Sequence, residues 1–438
     1  MQKPVDPGTF RTSPWMVVAA LAPFGLGYFF SYLYRAVNAI VAPDLVRDID
    51  MSASELGLLT SAYLLAFAIF QLPLGILLDR YGPRRVQTAL VATGAAGALL
   101  FAFSNSVEML TCARALIGVG FAGGLMASFK AVVIWVPEPR RALANACVMS
   151  AGALGVILST APMALAVSVY GWRSAFVGLA VATFVVAALI FLVVPERGQA
   201  GITPTPLATQ LKEVGGIFKD RVFLALAPVL AIPAGAHVAL QTLWVGPWYR
   251  DVAGLDHIAI GEHLFIMGLA FLVGVLGSGF IADRLVRHGI SLLSINIGFL
   301  VVFLASQVAI ILVDPVPPLL SWSVFVMTGH TAVLAYPWLA SYFGAARSGR
   351  SNTAVNLLLF GAAFFVQYAV GWVIDLYPLT VGGGYQPAAY RAAFSAVLVL
   401  EVLALLWYFA NLGRLRAATR NMGPKRIDGT HWETGPAS

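Results

Sequence analysis

The sequence predicts an all-α integral membrane protein, with about twelve transmembrane helices in two pseudo-symmetric six-helix bundles. Three observations lead there. First, 59% of the 438 residues are hydrophobic, only 11% are charged, and the mean hydropathy is +0.84. Soluble domains carry about 25% charged residues, so this chain has too little polar surface to face water all round. Second, the apolar residues come in long unbroken runs, and a hydrocarbon core takes roughly 20 helical residues to cross. A β-barrel would show alternating segments of about ten residues instead. Third, the stretch Gly75-Ile-Leu-Leu-Asp79-Arg80-Tyr81-Gly82-Pro83-Arg84-Arg85 returns about 200 residues later as Gly279-Phe-Ile-Ala-Asp283-Arg284-Leu-Val-Arg287. A repeat of that period divides the chain into two related halves.

Asp and Arg each cost several kcal/mol in hydrocarbon, so the first of these turns marks a membrane surface. Its positive charge puts that surface on the cytoplasmic side. Of the 27 Lys and Arg, only Arg47, Arg173, Arg250 and Arg391 fall in loops on the opposite side, and only Arg35, Arg114 and Lys130 lie inside apolar runs. That asymmetry predicts a multi-pass protein of the cell inner (cytoplasmic) membrane with both termini in the cytoplasm. The net charge of +7 then reflects orientation in the lipid bilayer and not a nucleic-acid partner.

Residues 15–41 form span one. Polar residues 44–55 follow, with Ser52 and Glu55 spaced as a capping box for the next helix. Spans two and three, residues 56–78 and 86–103, flank the basic turn. Span four, residues 109–136, ends in Pro137-Glu-Pro-Arg140-Arg141. Span five, residues 144–169, leads to the external turn at Gly171-Trp172-Arg173, and span six ends near Pro195. In domain terms, residues 1–198 make the first bundle, 199–220 a cytoplasmic linker, 221–414 the second bundle and 415–438 a basic, unstructured tail. Within the linker, residues 207–218 have the spacing of a short amphipathic surface helix. Spans seven to twelve cover residues 222–244, 263–282, 290–313, 319–343, 353–374 and 396–412.

With the basic motif at that place in both halves, the chain resembles the major facilitator superfamily of secondary transporters. Their loop between the second and third helices carries Gly-x-x-x-Asp-Arg-x-Gly-Arg-Arg/Lys. Gly171-Trp172-Arg173-Ser-Ala-Phe176 is similar to the Gly-Trp-Arg-x-x-Phe segment common there, and Tyr390-Arg391-Ala-Ala-Phe394 matches it in the second half. The resemblance implies that fold, alternating access, and a gating charge network made by Asp79, Arg80, Arg84 and Arg85, with Asp283 and Arg284 in the second half. Arg114, in Arg114-Ala-Leu-Ile-Gly118, resembles the Arg-x-x-x-Gly signature of span four, which implies proton coupling or buried ion pairing. Span one is similar to the organic-anion (anion:cation symporter-like) branch, whose pattern is Tyr-x-Asp-Arg-x-Asn. Here Tyr34 directly precedes Arg35, the Asp is absent, and Asn38 stands one position later.

Arg35 is also the most informative residue on physical grounds. A guanidinium at bilayer depth keeps its proton and faces a wet cavity or a partner, since facing lipid is costly. Ser31, Arg35 and Asn38 fall at i, i+4 and i+7 and so share a helix face. A fixed cation with a two-point fork reads as a site for a carboxylate or phosphate; pairing with an acid to hold helices together is the alternative. Tyr34, Tyr63, the stripe His237, Gln241 and Trp244, and the patch His330 and Tyr336 are the other candidate pocket residues. Glu401, the acid deepest in an apolar run, is a coupling candidate beside Arg114. Lys130 can snorkel to the surface, and Cys112 and Cys147 read as small packed residues.

No P-loop, zinc cluster or catalytic triad is visible, so no enzyme activity, cofactor or metal is expected. Span five lacks the Asn-x-Gly-Gly-Gly run of nitrate porters. The leading reading is a monomeric secondary transporter of a small organic anion of carboxylate type, with protons or another ion as the coupling partner. A proton-coupled exporter of amphipathic metabolites or drugs is the first alternative, and a non-transporting ligand sensor the second.

Overall fold

The computed structural model describes residues 14–137, 140–195, 207–312 and 317–421. Within them the chain is helical, with no strand. The first half holds α1 (Pro14–Ala36), α2 (Asn38–Ile49), α3 (Ala53–Phe103), α4 (Val107–Phe121), α5 (Gly124–Trp135), α6 (Arg141–Leu158) and α7 (Ala161–Val193). The short helix α8 (Leu207–Ile217) precedes the second half. That half holds α9 (Arg221–Ala239), α10 (Val245–Asp251), α11 (His257–Arg287), α12 (Leu292–Leu312), α13 (Pro318–Thr328), α14 (Tyr336–Phe343), α15 (Ala345–Asp375), α16 (Pro387–Ala410) and α17 (Leu412–Asn421). Among the described residues, 11 helices are long and apolar enough to cross a membrane. The expected fifth span is not one of them, because the chain breaks at Ser159–Thr160 and divides that stretch between α6 and the start of α7.

Three reversals share one device. At Gly82 inside α3, Gly171 inside α7 and Gly344 between α14 and α15, φ is 76°, 76° and 77°, with ψ of 162°, 158° and 162°. That region is essentially open to glycine alone. No atom lies within 4 Å of where a Cβ would stand at any of the three, so backbone conformation and not space demands the glycine. The organising turn of the sequence is thus a helix–Gly–helix hairpin.

The repeat seen in the sequence is visible in hydrogen bonds. Trp172, at the start of the second leg of α7, donates its indole N–H to Asp48 near the end of α2 at 2.9 Å. Tyr390, at the start of α16, donates its hydroxyl to Asp251 at the end of α10 at 2.8 Å. Each half therefore ties its last span to the end of its first by an aromatic donor and an aspartate. The Trp172 N–H, aided by Arg47 and Arg173, holds the Asp48 carboxyl below the usual carboxylate range. Both bonds of the Ser52–Glu55 capping box are present at the start of α3.

The halves meet closely at the end of the bundle away from the basic turns, called here the far end. Asp375, closing α15, accepts the Ala53 and Ser54 backbone N–H groups of α3 at 2.9 and 2.8 Å. A Cβ on Gly246 of α10 would lie 2.0 Å from the Ala39 carbonyl oxygen of α2. Small residues that let helix backbones touch are how membrane helices pack without a hydrophobic driving force.

Several expectations change. The polar stretch after span one is largely helical, because α2 runs on to Ile49. The tail is ordered as far as α17: Leu415 and Ala418 are buried, and Trp338 donates to the Thr419 hydroxyl at 3.2 Å. Apolar residues at that spacing give the basic segment a face to dock, and residues 422–438 lie outside the described ones. Cys112 and Cys147 are exposed and not packed. The expected linker helix exists as α8, where Glu213 pairs with Arg350 of α15 at 2.7 Å.

Candidate functional site

A cavity of about 160 Å³ lies between the halves. Tyr32, Arg35, Ala36 and Val156 line it from the first half, and His237, Gln241, Phe271, His330, Tyr336 and Phe360 from the second. Helix irregularities surround it. The α1–α2 junction at Val37 follows Arg35 and Ala36 directly. A π-helical turn, Leu240–Trp244, follows His237. The expected tenth span is cut into α13, a 3-10 turn at Thr331–Ala335, and α14, with Gly329 and His330 at the cut. Irregular backbone at membrane depth is tolerated where it is buried in protein or lines a cavity. Gly329 is required by close approach, since its Cβ would stand 2.2 Å from the His237 ring.

Arg35 is partly buried. Its guanidinium carbon lies 4.8, 5.0 and 5.3 Å from the ring centroids of Tyr32, Phe67 and Phe360. The titratable groups acting on it are Tyr28, Tyr32 and Tyr63, and among the described residues no carboxylate is paired with it. Its Nε has no hydrogen-bond partner. Aromatic faces stabilise a cation by about 0.5–2 kcal/mol but leave the in-plane Nε–H donor unused. The result is a charged fork at the cavity wall with its Nε–H donor unpaired.

Across the cavity, the His237 ring is clamped among Phe271, Phe303 and Phe325 at 6.2, 6.2 and 5.4 Å. It is 3% exposed and its Nε2 has no partner. His330 packs edge-on against Phe271, with Nε2 3.4 Å from the Ser278 hydroxyl and Nδ1 unpartnered. Tyr336 donates to Asn356 at 2.6 Å.

Other candidates sit elsewhere. Asn38 is fully buried and donates to Thr60 at 2.8 Å; Ser31 is buried, and its carbonyl accepts the Tyr63 hydroxyl at 3.2 Å. Neither lines the cavity: the Ser31 side chain lies beside Gly124 of α5 and the Asn38 side chain is held by Thr60 of α3. Tyr34 shares a hydrogen bond with Thr183 at 3.2 Å and stacks on Phe121. Trp244 donates to the Gln367 carbonyl at 3.2 Å and is fully buried against α15. Tyr63 lies beneath the cavity, between the guanidiniums of Arg35 at 6.0 Å and Arg114 at 5.1 Å. Arg114 is 1% exposed and donates to the Tyr34 carbonyl at 3.0 Å, so it reaches the cavity only through that ring.

Glu401 is enclosed within the second half, accepting the Gln307 side-chain N–H at 2.5 Å, and does not line the cavity. Arg84 donates to the Phe191 carbonyl at the end of α7 through Nε at 3.0 Å, and its guanidinium lies 5.0 Å from that ring. Arg80 is exposed and lies over Tyr81. The Asp79 side chain is outside the described residues. Asp283 pairs with Arg287 one turn on in its own helix, and Arg284 is exposed; the second-half motif thus displays an intrahelical pair. Tyr32, Phe271 and Phe360 are cavity residues that sequence reasoning missed. Tyr32 carried a signal, one turn before Arg35 at i−3.

Residues 24–371 match the profile of the Major Facilitator Superfamily. The chain is 25% identical over 283 residues to the "Probable sulfoacetate transporter SauU" of Cupriavidus necator, covering 60% of this chain and 64% of that one. To the "Uncharacterized transporter YybO" of Bacillus subtilis it is 24% identical over 277 residues, covering 59% and 63%. The chain thus spans a little under two thirds of the length of these relatives. Among solved structures, a bacterial homologue of the human lysosomal transporter Spinster, inward-facing and unoccupied, aligns with a TM-score of 0.72 at 17% identity, over 93% of this chain and 99% of that one. The nucleoside transporter NupG aligns with a TM-score of 0.72 at 13% identity, over 90% and 99%. These two likenesses concern the fold.

Proposed function

The chain belongs to the Major Facilitator Superfamily of transporters, and from that membership we propose that it carries a small organic anion across the cytoplasmic membrane by alternating access. One observation carries the reading: Arg35, a permanent cation with an unpaired Nε–H and no paired carboxylate among the described residues, stands on the wall of the cavity between the halves. A bilayer-depth cation needs a negative partner, and a substrate carboxylate would supply it through the guanidinium fork. The cavity lies between the two halves, where superfamily members bind substrate. The name of the Cupriavidus necator relative also points to an organic anion, sulfoacetate.

The test is accumulation of radiolabelled short organic acids by vesicles holding the purified protein, with and without an imposed pH gradient. Saturable uptake of an acid and none of neutral or cationic analogues is the expected result. Vesicles that bind acids but never accumulate them would favour a sensor.

In this reading the far end is closed and must open once per cycle, with the basic motif turns gating the other end. The Asp375 cap on α3 is part of that closure. Losing a helix N-cap costs about 0.5–2 kcal/mol, so Asp375→Ala should raise the open fraction at the far end roughly fivefold, at about 1 kcal/mol. The readout is the labelling rate of an Ala36→Cys variant, lacking Cys112 and Cys147, by a thiol reagent confined to the far side. An unchanged rate would show that the cap does not hold the halves.

A further inference from the structure

We propose that the ligand is a short two-headed acid, whose first acidic group meets Arg35 and whose second oxygen-rich head is held by His237 and His330. The inference rests on the anion reading and extends it to the far wall of the same cavity. Both imidazoles line the cavity, and each leaves a ring nitrogen without a partner: Nε2 of His237 and Nδ1 of His330. A buried polar atom left unpaired costs about 1–3 kcal/mol, and a ligand oxygen that reached either nitrogen would relieve that cost. A neutral imidazole carries one N–H, so each ring serves an acid oxygen in the tautomer that puts the proton on its unpartnered nitrogen.

The rings are also built to stay put. His237 is clamped by three phenylalanines, and Gly329 leaves it the room. Between the polar walls the lining is aromatic and aliphatic, through Tyr32, Phe271 and Phe360, which suits a short carbon backbone. A volume near 160 Å³ matches the roughly 150 Å³ that accommodates benzene, so the ligand has few non-hydrogen atoms.

The arrangement has a consequence for transport. Arg35 belongs to the first half and both histidines to the second. A two-headed ligand therefore joins the halves, whereas a one-headed acid engages only one wall. A ligand shifts a conformational equilibrium only by its differential affinity for the two states, and bridging supplies that difference.

The experiment is a titration of full-length protein in lipid nanodiscs, followed by thermal shift, with acetate and propionate as one-headed probes and malonate and sulfoacetate as two-headed ones. Wild type should half-saturate with a two-headed probe at least tenfold below the one-headed probes. His237→Phe and His330→Phe, which keep the aromatic packing and remove the nitrogens, should erase that preference, so that two-headed and one-headed probes half-saturate alike. Equal affinity for both probe classes in wild type, with Arg35→Gln abolishing both, would overturn the two-headed inference and leave the anion reading intact. Histidine variants that weaken both classes alike would reduce the rings to packing and overturn it as well. No binding of any acid by wild type would overturn both readings. If a histidine variant fails to fold, the wild-type comparison decides alone.

Discussion

Arg35→Gln abolishes substrate uptake and leaves the melting temperature of the protein unchanged or higher. The sign of the stability effect separates the two roles open to this residue. Were Arg35 a strut, it would be paired with a carboxylate, and breaking a buried pair costs about 3–5 kcal/mol. Its surroundings are instead the rings of Tyr32, Phe67 and Phe360. Glutamine forfeits about 0.5–2 kcal/mol of cation–π attraction and removes a charge whose burial itself costs several kcal/mol, so the net effect on the empty protein is small or favourable.

Binding behaves differently. A hydrogen bond to a charged group contributes about 1.5–3 kcal/mol, and the fork makes two. Loss of both leaves an affinity at least two orders of magnitude weaker by that arithmetic. Arg35→Lys keeps the charge and loses the planar fork; it should fall between, with about tenfold weaker binding. Vesicle uptake and a thermal melt on the same preparations give both numbers. Normal uptake by Arg35→Gln, or a strongly lowered melting temperature together with lost uptake, would remove the substrate role.

Arg35 was legible because a guanidinium in an apolar run has few places to go. The halves were legible because Gly75 to Arg85 and Trp172 to Phe176 recur, and the recurrence reappears as Trp172–Asp48 and Tyr390–Asp251. Helical periodicity failed at the irregularities. Spacing puts Ser31, Arg35 and Asn38 on one face, yet of the three only Arg35 lines the cavity, because Ser31 is set beside Gly124 of α5 and Asn38 is held by Thr60 of α3. His237 and Gln241 line the cavity, but Trp244 does not, because the π-turn at Leu240–Trp244 adds a residue to the turn and rotates the side chains at its C-terminal end. Glu401 read as a coupling acid because depth in an apolar run is visible in sequence; that it faces Gln307 of α12 and not the cavity depends on packing between elements about a hundred residues apart. The far-end closure was invisible for the same reason: Asp375 and Ala53 are distant in sequence, and nothing in either run announces the other.

That closure is where the second large effect is expected. Gly246→Val should drive the far end open and stall transport. A Cβ at that position would lie 2.0 Å from the Ala39 carbonyl oxygen, a backbone atom of the other half, whereas carbon and its non-bonded neighbours settle near 3.5–4.0 Å. No rotamer relieves the clash, so α10 must back away from α2. Overpacking of this kind costs about 1–3 kcal/mol, on the order of a five- to a hundredfold change in the ratio of closed to open far end. The penalty falls on one state only, because each half keeps its own packing when the two separate. The mutant should therefore fold normally while its population shifts.

Spin labels on Ser168→Cys and Glu262→Cys, both exposed and on opposite halves, in a background without Cys112 and Cys147, read the separation directly. The expected result is a longer distance distribution, with uptake reduced and ligand binding from the far side retained. Gly246→Ala should show the same change to a lesser degree. A distance distribution identical to wild type, with uptake intact, would mean that α10 and α2 are not held together at Gly246 in the working cycle, and the far-end latch would have to rest on the contacts of α15 with α3, at Asp375, Gly371 and Gly57.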